Sequence, residues 1–411
     1  MRRIKLGICA AIFSMVMFAG CLPDGNSEEQ TQITDTAFAE REEITEKQEE
    51  GEKAAETASL ADYCSGDFVL GEDDPYYFFS GFPITESDKG YYYLTETGYL
   101  CFVDKESDAN IYVCSKPNCT HSAEQCMAYL ENAERGLGIW FCNNWLYFIG
   151  CDENNRYDLY RISEDGSVRE KVTELFRYGS ENVDVAVNVL LHRGRIFYSI
   201  KESNGSCVLY ARQLQSPDSE DVLYTEEGDG SSIYRIRGYG EGICFEANHR
   251  QGEGLDGALY YCDTKTKAVS VIRENIYRDY TIADGKLFYS DDTMVNVVDL
   301  DSGESAIFYE AGHSSYISFD GKHIYVDNCT AVMHQEIGME ERCVRIFDLE
   351  GTPIDQIEFI GVDPCAFGNA DRFFYIQLEK KPTGGYSTHF MMMFKTDPGS
   401  VTAERKELLW N

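Results

Sequence analysis

Basic residues are scarce in this chain: 36 Lys plus Arg stand against 71 Asp plus Glu in 411 residues, a formal net charge of −35. Binding to nucleic acid runs on Lys and Arg displacing counterions from phosphates, so nucleic-acid partners are excluded. Proline is scarce too, 9 against 35 glycines, which leaves the turns to glycine and predicts many tight ones. Long apolar runs are missing but for residues 6–20, a stretch too short to span a bilayer. Enzyme motifs fail in detail. Gly312-His313-Ser314-Ser315-Tyr316 has Tyr where a nucleophile elbow needs Gly, and it reads as a turn between repeats. Gly238, Gly240 and Gly242 lack the strand-to-helix setting of a dinucleotide loop, and residues 152–158 lack a complete calcium-loop pattern and read as a polar hairpin turn. What is present is apolar and aromatic: 43% hydrophobic residues, with 28 Tyr and 23 Phe. That composition suits β-strands rather than a disordered or coiled-coil chain, and the length points to a repeat or barrel architecture.

Arg2, Arg3 and Lys5 precede the apolar run, which ends Phe18-Ala19-Gly20-Cys21. Bulky Phe18 stands where an ordinary signal-peptidase site needs a small residue. The ending resembles a bacterial lipobox, with Phe18 in place of the usual Leu and with Ala19, Gly20 and Cys21 in place. The resemblance implies a signal peptide over residues 1–20, lipidation of Cys21 and a protein anchored at the extracytoplasmic face of the cell membrane. Two or more acyl chains, at about 0.8 kcal/mol per buried CH₂, hold such an anchor stably. Residues 22–60 carry 12 acidic and 3 basic residues and no apolar stripe at helical spacing, so residues 21–60 are expected to be a lipidated Cys and a disordered acidic linker. A random coil of that length reaches roughly 35 Å. Loss of the three signal cations takes the mature chain to −38.

Residues 61–411 repeat one pattern: a short strand, two turn formers, then a strand ending in paired aromatics. Asp284-Gly285-Lys286-Leu287-Phe288-Tyr289 is the clearest copy. Others are Arg193-Gly194-Arg195-Ile196-Phe197-Tyr198, Asp320-Gly321-Lys322-His323-Ile324-Tyr325, Asn143-Asn144-Trp145-Leu146-Tyr147-Phe148 and Ala370-Asp371-Arg372-Phe373-Phe374-Tyr375. Weaker copies end at Tyr93 and Phe245. The seven final aromatics are spaced by 47 residues on average. Asp-Gly and Asn-Asn accept the positive φ angles of a two-residue type I′ hairpin, and a second hairpin follows, as at Val298-Asp299-Leu300-Asp301-Ser302-Gly303 and Phe347-Asp348-Leu349-Glu350-Gly351. Four strands per repeat and a period in the forties define a propeller blade. The expected fold is an all-β, seven-bladed β-propeller, with six or eight blades as alternatives. The repeats resemble bacterial propellers of the TolB or YWTD-like kind, although the YWTD tetrapeptide is absent.

The sharpest local feature is Cys114, Cys119, His121 and Cys126, a Cys-x4-Cys-x-His-x4-Cys box. Two readings stand. Four soft ligands so close together suit tetrahedral zinc, whereas cysteines of an exported chain also pair as disulfides. With Cys9 removed and Cys21 lipidated, 13 cysteines remain, so complete intramolecular pairing is impossible. Cys101, Cys142, Cys207, Cys244, Cys262 and Cys343 fall in strand patterns and are expected to pack as small apolar residues. A Rieske-type iron–sulfur site is excluded, because its second Cys-x-x-His half is missing. Lipobox, box and Tyr-rich repeats together resemble propeller lipoproteins of anaerobic Gram-positive bacteria, a resemblance that implies no assigned reaction.

The box follows the expected fourth strand of the first blade. It therefore falls on the face shared by blade-to-blade connections and second-to-third-strand loops, where propellers commonly bind. Long loops there carry the other candidate ligand contacts: His249 and Arg250, His334, and Lys380 and Lys381. The expectation is a non-catalytic module that binds a protein, peptide or glycan, its acidic field favouring cationic partners. The alternatives are an extracytoplasmic lyase or glycosidase using funnel carboxylates, and a metal sensor centred on the box.

Overall fold

The computed structural model describes Asp73 and residues 83–409, apart from 135–136, 178–187, 229, 252–253, 277–278, 334, 359–366, 369–371, 382–385 and 395–404. The signal, Cys21 and the acidic linker lie outside the described residues. So do His334 and the Ala370-Asp371 turn.

The fold is a seven-bladed β-propeller. Seven antiparallel sheets of four strands follow one another along the chain, at residues 84–112, 139–177, 189–226, 232–274, 280–310, 316–358 and 367–407, numbered here as blades 1 to 7. Each sheet keeps its strands in chain order. First strands such as Val189–His192 and Tyr280–Ala283 are buried throughout, while the fourth strand of blade 5, Ser305–Glu310, has no buried residue. First strands are therefore innermost and fourth strands form the rim.

The recurring aromatic pair has a simple physical cause. Neighbouring strand residues point to opposite faces, and in a ring of blades both faces are covered. Phe197 packs toward blade 4 while Tyr198 packs toward blade 2. Tyr147 and Phe148 divide between blades 3 and 1 in the same way, as do Phe373 and Phe374 between blades 6 and 1. The core is accordingly seven apolar clusters, one between each pair of adjacent blades. Each buried Phe contributes about 1.5–3 kcal/mol.

Blades 7 and 1 close the ring through side chains, with no strand shared between the two ends among the described residues. Tyr91 meets Phe374, and Tyr93 meets Phe390, each at 4.9 Å between ring centres. The Tyr93 hydroxyl donates to the Leu409 carbonyl at 2.8 Å, and the Leu409 amide donates to Asn110 at 2.7 Å.

Three of the expected type I′ turns have positive φ at both central residues: Asn143 and Asn144, Arg193 and Gly194, Asp284 and Gly285. The copy at Asp320-Gly321 departs from the expectation. Phe319 pairs with Ile324, so four residues make that turn, and only Gly321 has positive φ. There the Asp320 carboxylate takes over the capping, accepting from the Lys322 and His323 amides and from the Tyr325 hydroxyl.

The rim strands are bent. In blades 2 to 6 the fourth strand slips register against the third, opposite Leu159/Tyr160, Leu209/Tyr210, Leu259/Tyr260, Val295/Asn296 and Ile346/Phe347. Such bulges twist an exposed edge away from pairing with another chain, which suits a fold with seven open rims.

Candidate metal centre

The connection from blade 1 to blade 2 crosses the loop face instead of turning tightly. Its first part is stitched to the second-to-third-strand turn of blade 1: the Leu130 amide donates to the Gly98 carbonyl at 2.9 Å, and the Leu100 amide to the Ala128 carbonyl at 2.8 Å. Its second part is stitched to blade 2, the Glu134 amide donating to Ile149 at 2.8 Å and the Cys151 amide to Asn132 at 2.8 Å. These bonds place the box at the end of the ring where second strands turn into third strands.

Within that connection the donor atoms of Cys114, Cys119, His121 and Cys126 all lie within 4.8 Å of one another, and His121 Nδ1 is 3.2 Å from Cys126 Sγ. Two left-handed residues, Asn118 at φ 56° and His121 at φ 54°, fold the intervening chain tightly enough to bring both ends of the box together. A short 3-10 turn, Ala123–Gln125, returns the chain so that Cys126 faces Cys114. The Lys116 ammonium donates to the Gln125 carbonyl and ties the two legs. The Tyr99 hydroxyl donates to the His121 carbonyl at 2.9 Å, and the Tyr112 ring lies 4.5 Å from the His121 ring, so the imidazole is held from below.

Zinc at about 2.3 Å from sulfur sets its tetrahedral ligand atoms roughly 3.5–3.8 Å apart, so this cluster needs only a small contraction to hold the ion. Three thiols and one imidazole are the donor set zinc prefers, and the four residues fit it. Backbone amides complete the sulfur environment. Burial raises the Cys114 thiol, but the Lys116 and Met127 amides and the neighbouring thiols outweigh it and leave Cys114 below its ordinary value. Cys126, the buried member, is pushed up to about 11 by desolvation and by the other two thiols, against the pull of the Ala128 amide.

The remaining cysteines behave differently. Cys101, Cys142, Cys207, Cys244, Cys262 and Cys343 are buried strand residues, as their pattern implies. Burial pushes Cys101, Cys207 and Cys262 up to about 12, the mark of an inert packing thiol.

Of the other candidates, His249, Arg250 and Lys380 depart from the expected loops: they lie in paired strands, because the hairpins of blades 4 and 7 run on to Gln251 and Lys380, and neither they nor Lys381 joins the box. His249, near the end of the second strand of blade 4, Gly242–Gln251, donates from Nδ1 to Glu226 of blade 3 at 2.6 Å. Glu226 is held in turn by the Tyr224 hydroxyl at 2.7 Å. Arg250 and Lys381 are exposed, and Lys380 ends the second strand of blade 7, Arg372–Lys380. Between strands two and three of blade 6, a folded insertion replaces the expected open loop. It contains the helix Cys329–Met333 and is anchored by Arg342, fully buried and bidentate to Asp327 at 2.5 and 2.9 Å. Sequence reasoning passed over Arg342, and it passed over a second charged group at Arg235, Arg237, Glu246 and Asp279. The signal for that group is visible in retrospect, since Ser232–Tyr239 is an innermost strand carrying two arginines where Tyr280–Ala283 carries none.

No family model matches the chain, and no curated protein matches it. Solved structures similar to it include TolB from Acinetobacter baumannii, at 13% identity and TM-score 0.37, over 67% of this chain and 66% of that one. A prolyl endopeptidase is similar at 12% identity and TM-score 0.48, over 82% of this chain and 56% of that one. An oligogalacturonate lyase in complex with manganese is similar at 10% identity and TM-score 0.40, over 68% of this chain and 77% of that one. The chain thus spans just under two thirds of that TolB chain and little more than half of the endopeptidase.

Proposed function

We propose that this chain is an exported, lipid-anchored propeller that acts as a non-catalytic binding module, with a zinc-clamped loop shaping its recognition face. One observation carries the reading: the Cys114, Cys119, His121 and Cys126 donors gather at the end of the ring where the long second-to-third-strand hairpins of blades 4 and 7 end and where the blade 6 insertion sits. A rigid ring presents those loops, and a metal staple fixes one of them without a hydrophobic core of its own. The lipobox at Phe18-Ala19-Gly20-Cys21 supports anchorage at the extracytoplasmic face, and the charge of −35 supports a partner that is cationic or neutral at its contact surface. The partner class is a protein, peptide or glycan.

Two measurements test this. A fatty-acid analogue fed to expressing cells should label the wild type and spare Cys21→Ala; equal labelling of both removes the anchor. The metal-loaded full chain, screened against glycan and peptide arrays, should retain a ligand unchanged, and that retention should fall at least tenfold after chelation. Product formation from a retained ligand contradicts the non-catalytic reading.

A further inference from the structure

A second polar site lies on the inner side of blade 4, away from the metal loop. Its innermost strand, Ser232–Tyr239, is interrupted between Tyr234 and Arg237 by a register shift, and Arg235 within that shift has φ 47°, a left-handed conformation costly for a residue of this kind. The distortion turns two cations toward blade 5. Arg235 pairs with Glu246 at 2.6 Å and with Asp279 at 3.3 Å, and Arg237 reaches Asp279 at 3.2 Å. Neighbouring blades hold this arrangement. The Tyr280 hydroxyl donates to the Arg235 carbonyl at 2.7 Å, the Ile317 amide of blade 6 donates to Asp279 at 2.8 Å, and the Arg237 guanidinium lies 5.3 Å from the Tyr280 ring centre.

Internal pairing does not satisfy the group. Nε and Nη1 of Arg237 and Oε1 of Glu246 are buried without a hydrogen-bond partner, although the Glu246 side chain is 1% exposed and that of Arg237 only 12%. Buried polar atoms left unmet cost about 1–3 kcal/mol each, so a bulge that strains the backbone to collect such atoms serves no folding purpose. The unmet set has a definite chemistry: guanidinium donors for an anion, beside a carboxyl acceptor for a hydroxyl or amide N–H.

We propose that Arg235, Arg237, Glu246 and Asp279 form a subsite for a small organic acid. Arg237 takes the carboxylate, and Glu246 accepts from a neutral hydroxyl or amide N–H beside it. A sugar acid offers the first pair and the carboxyl end of a peptide the second. The inference rests on the binding-module reading and is independent of the metal. Burial holds the Glu246 carboxyl up at about 7, against the pull of Arg235, with Asp279 pushing it further and Arg237 countering. Its ionised form repels a neighbouring carboxylate, so binding weakens as pH rises through about 7.

Calorimetric titration of the full chain in detergent with glucuronate and with alanylalanine tests the subsite, with glucose and alanylalanine amide as matched controls. The expected result is binding of one acid, at least tenfold tighter than its control lacking the carboxylate and at least tenfold weaker in Arg237→Gln. Arg237→Lys, which keeps the charge beside Asp279, should recover part of it. In Glu246→Gln the acid should still bind, with the pH dependence near 7 gone; this arm also stands alone if Arg237→Gln does not fold. Absence of binding by both acids at millimolar concentration, or binding unchanged by Arg237→Gln, overturns the subsite. A module that captures glycans or peptides on arrays regardless of Arg237 keeps the binding reading and loses only this site.

Discussion

Two loops on the same face of the ring are held by opposite means. The insertion of blade 6 is fixed from within: a buried guanidinium gripping Asp327, the Asn328 side chain accepting from the Cys343 amide, and a short helix with Ala331 and Val332 buried. The connection between blades 1 and 2 folds Cys114 to Cys126 with little apolar burial and gathers soft donors instead. The difference teaches where each loop's order comes from. One is part of the folding unit, so its loss is felt by the blade. On the proposed metal reading the other is conditional on an ion, so it can be undone without opening the ring.

That contrast sets the order of expected effects. Arg342→Ala leaves the Asp327 carboxylate buried and uncompensated, and a drop of about 3–5 kcal/mol in denaturant stability is expected. Arg342→Met combined with Asp327→Leu should recover most of it. A single variant that unfolds with the wild type would place the insertion with the metal loop and erase the distinction. Cys126→Ser should lower bound zinc from one per chain to under a tenth and speed proteolysis within residues 114–130. Its melting temperature should move by only a few °C, the size of about 1 kcal/mol in a domain this large. Unfolding of the whole ring on chelation would break the comparison from the other side.

The pH response sharpens it further. Zinc must displace a proton from Cys126, which is pushed up to about 11 and is therefore protonated at neutral pH. Affinity should rise with pH, by up to about tenfold per unit for each proton displaced, when measured by chelator competition between pH 6.5 and 7.5. The blade 6 insertion is anchored by the Arg342–Asp327 pair, so chelator should leave its proteolysis unchanged over that interval. The smallest effect is expected at Tyr99→Phe, which removes the hydroxyl bond to the His121 carbonyl and should weaken the loop by about 0.5–1.5 kcal/mol, seen as faster amide exchange around His121.

The same contrast explains what the sequence revealed. The blades were legible because one local rule recurs: a turn that tolerates positive φ, then adjacent aromatics serving two neighbouring blades. The box was legible because its ligands are close along the chain, and the strand cysteines because their neighbours alternate. The Asp320 turn hid behind the same dipeptide as its relatives, since a carboxylate cap and a type I′ turn both favour Asp-Gly. Arg342 with Asp327, and Arg237 with Asp279, were not legible. Their partners are 15 and 42 residues apart, brought together in the first case by the hairpin of blade 6 and in the second by the packing of blade 5 on blade 4.

The central claim is that Cys114, Cys119, His121 and Cys126 hold one metal ion. X-ray absorption at the zinc edge, on full chain purified with zinc and without chelator, tests it most directly. One zinc per chain with three sulfurs near 2.3 Å and one nitrogen near 2.0–2.1 Å is the predicted result. A chain that takes up no zinc, with two of the three cysteines joined as a disulfide, would contradict it.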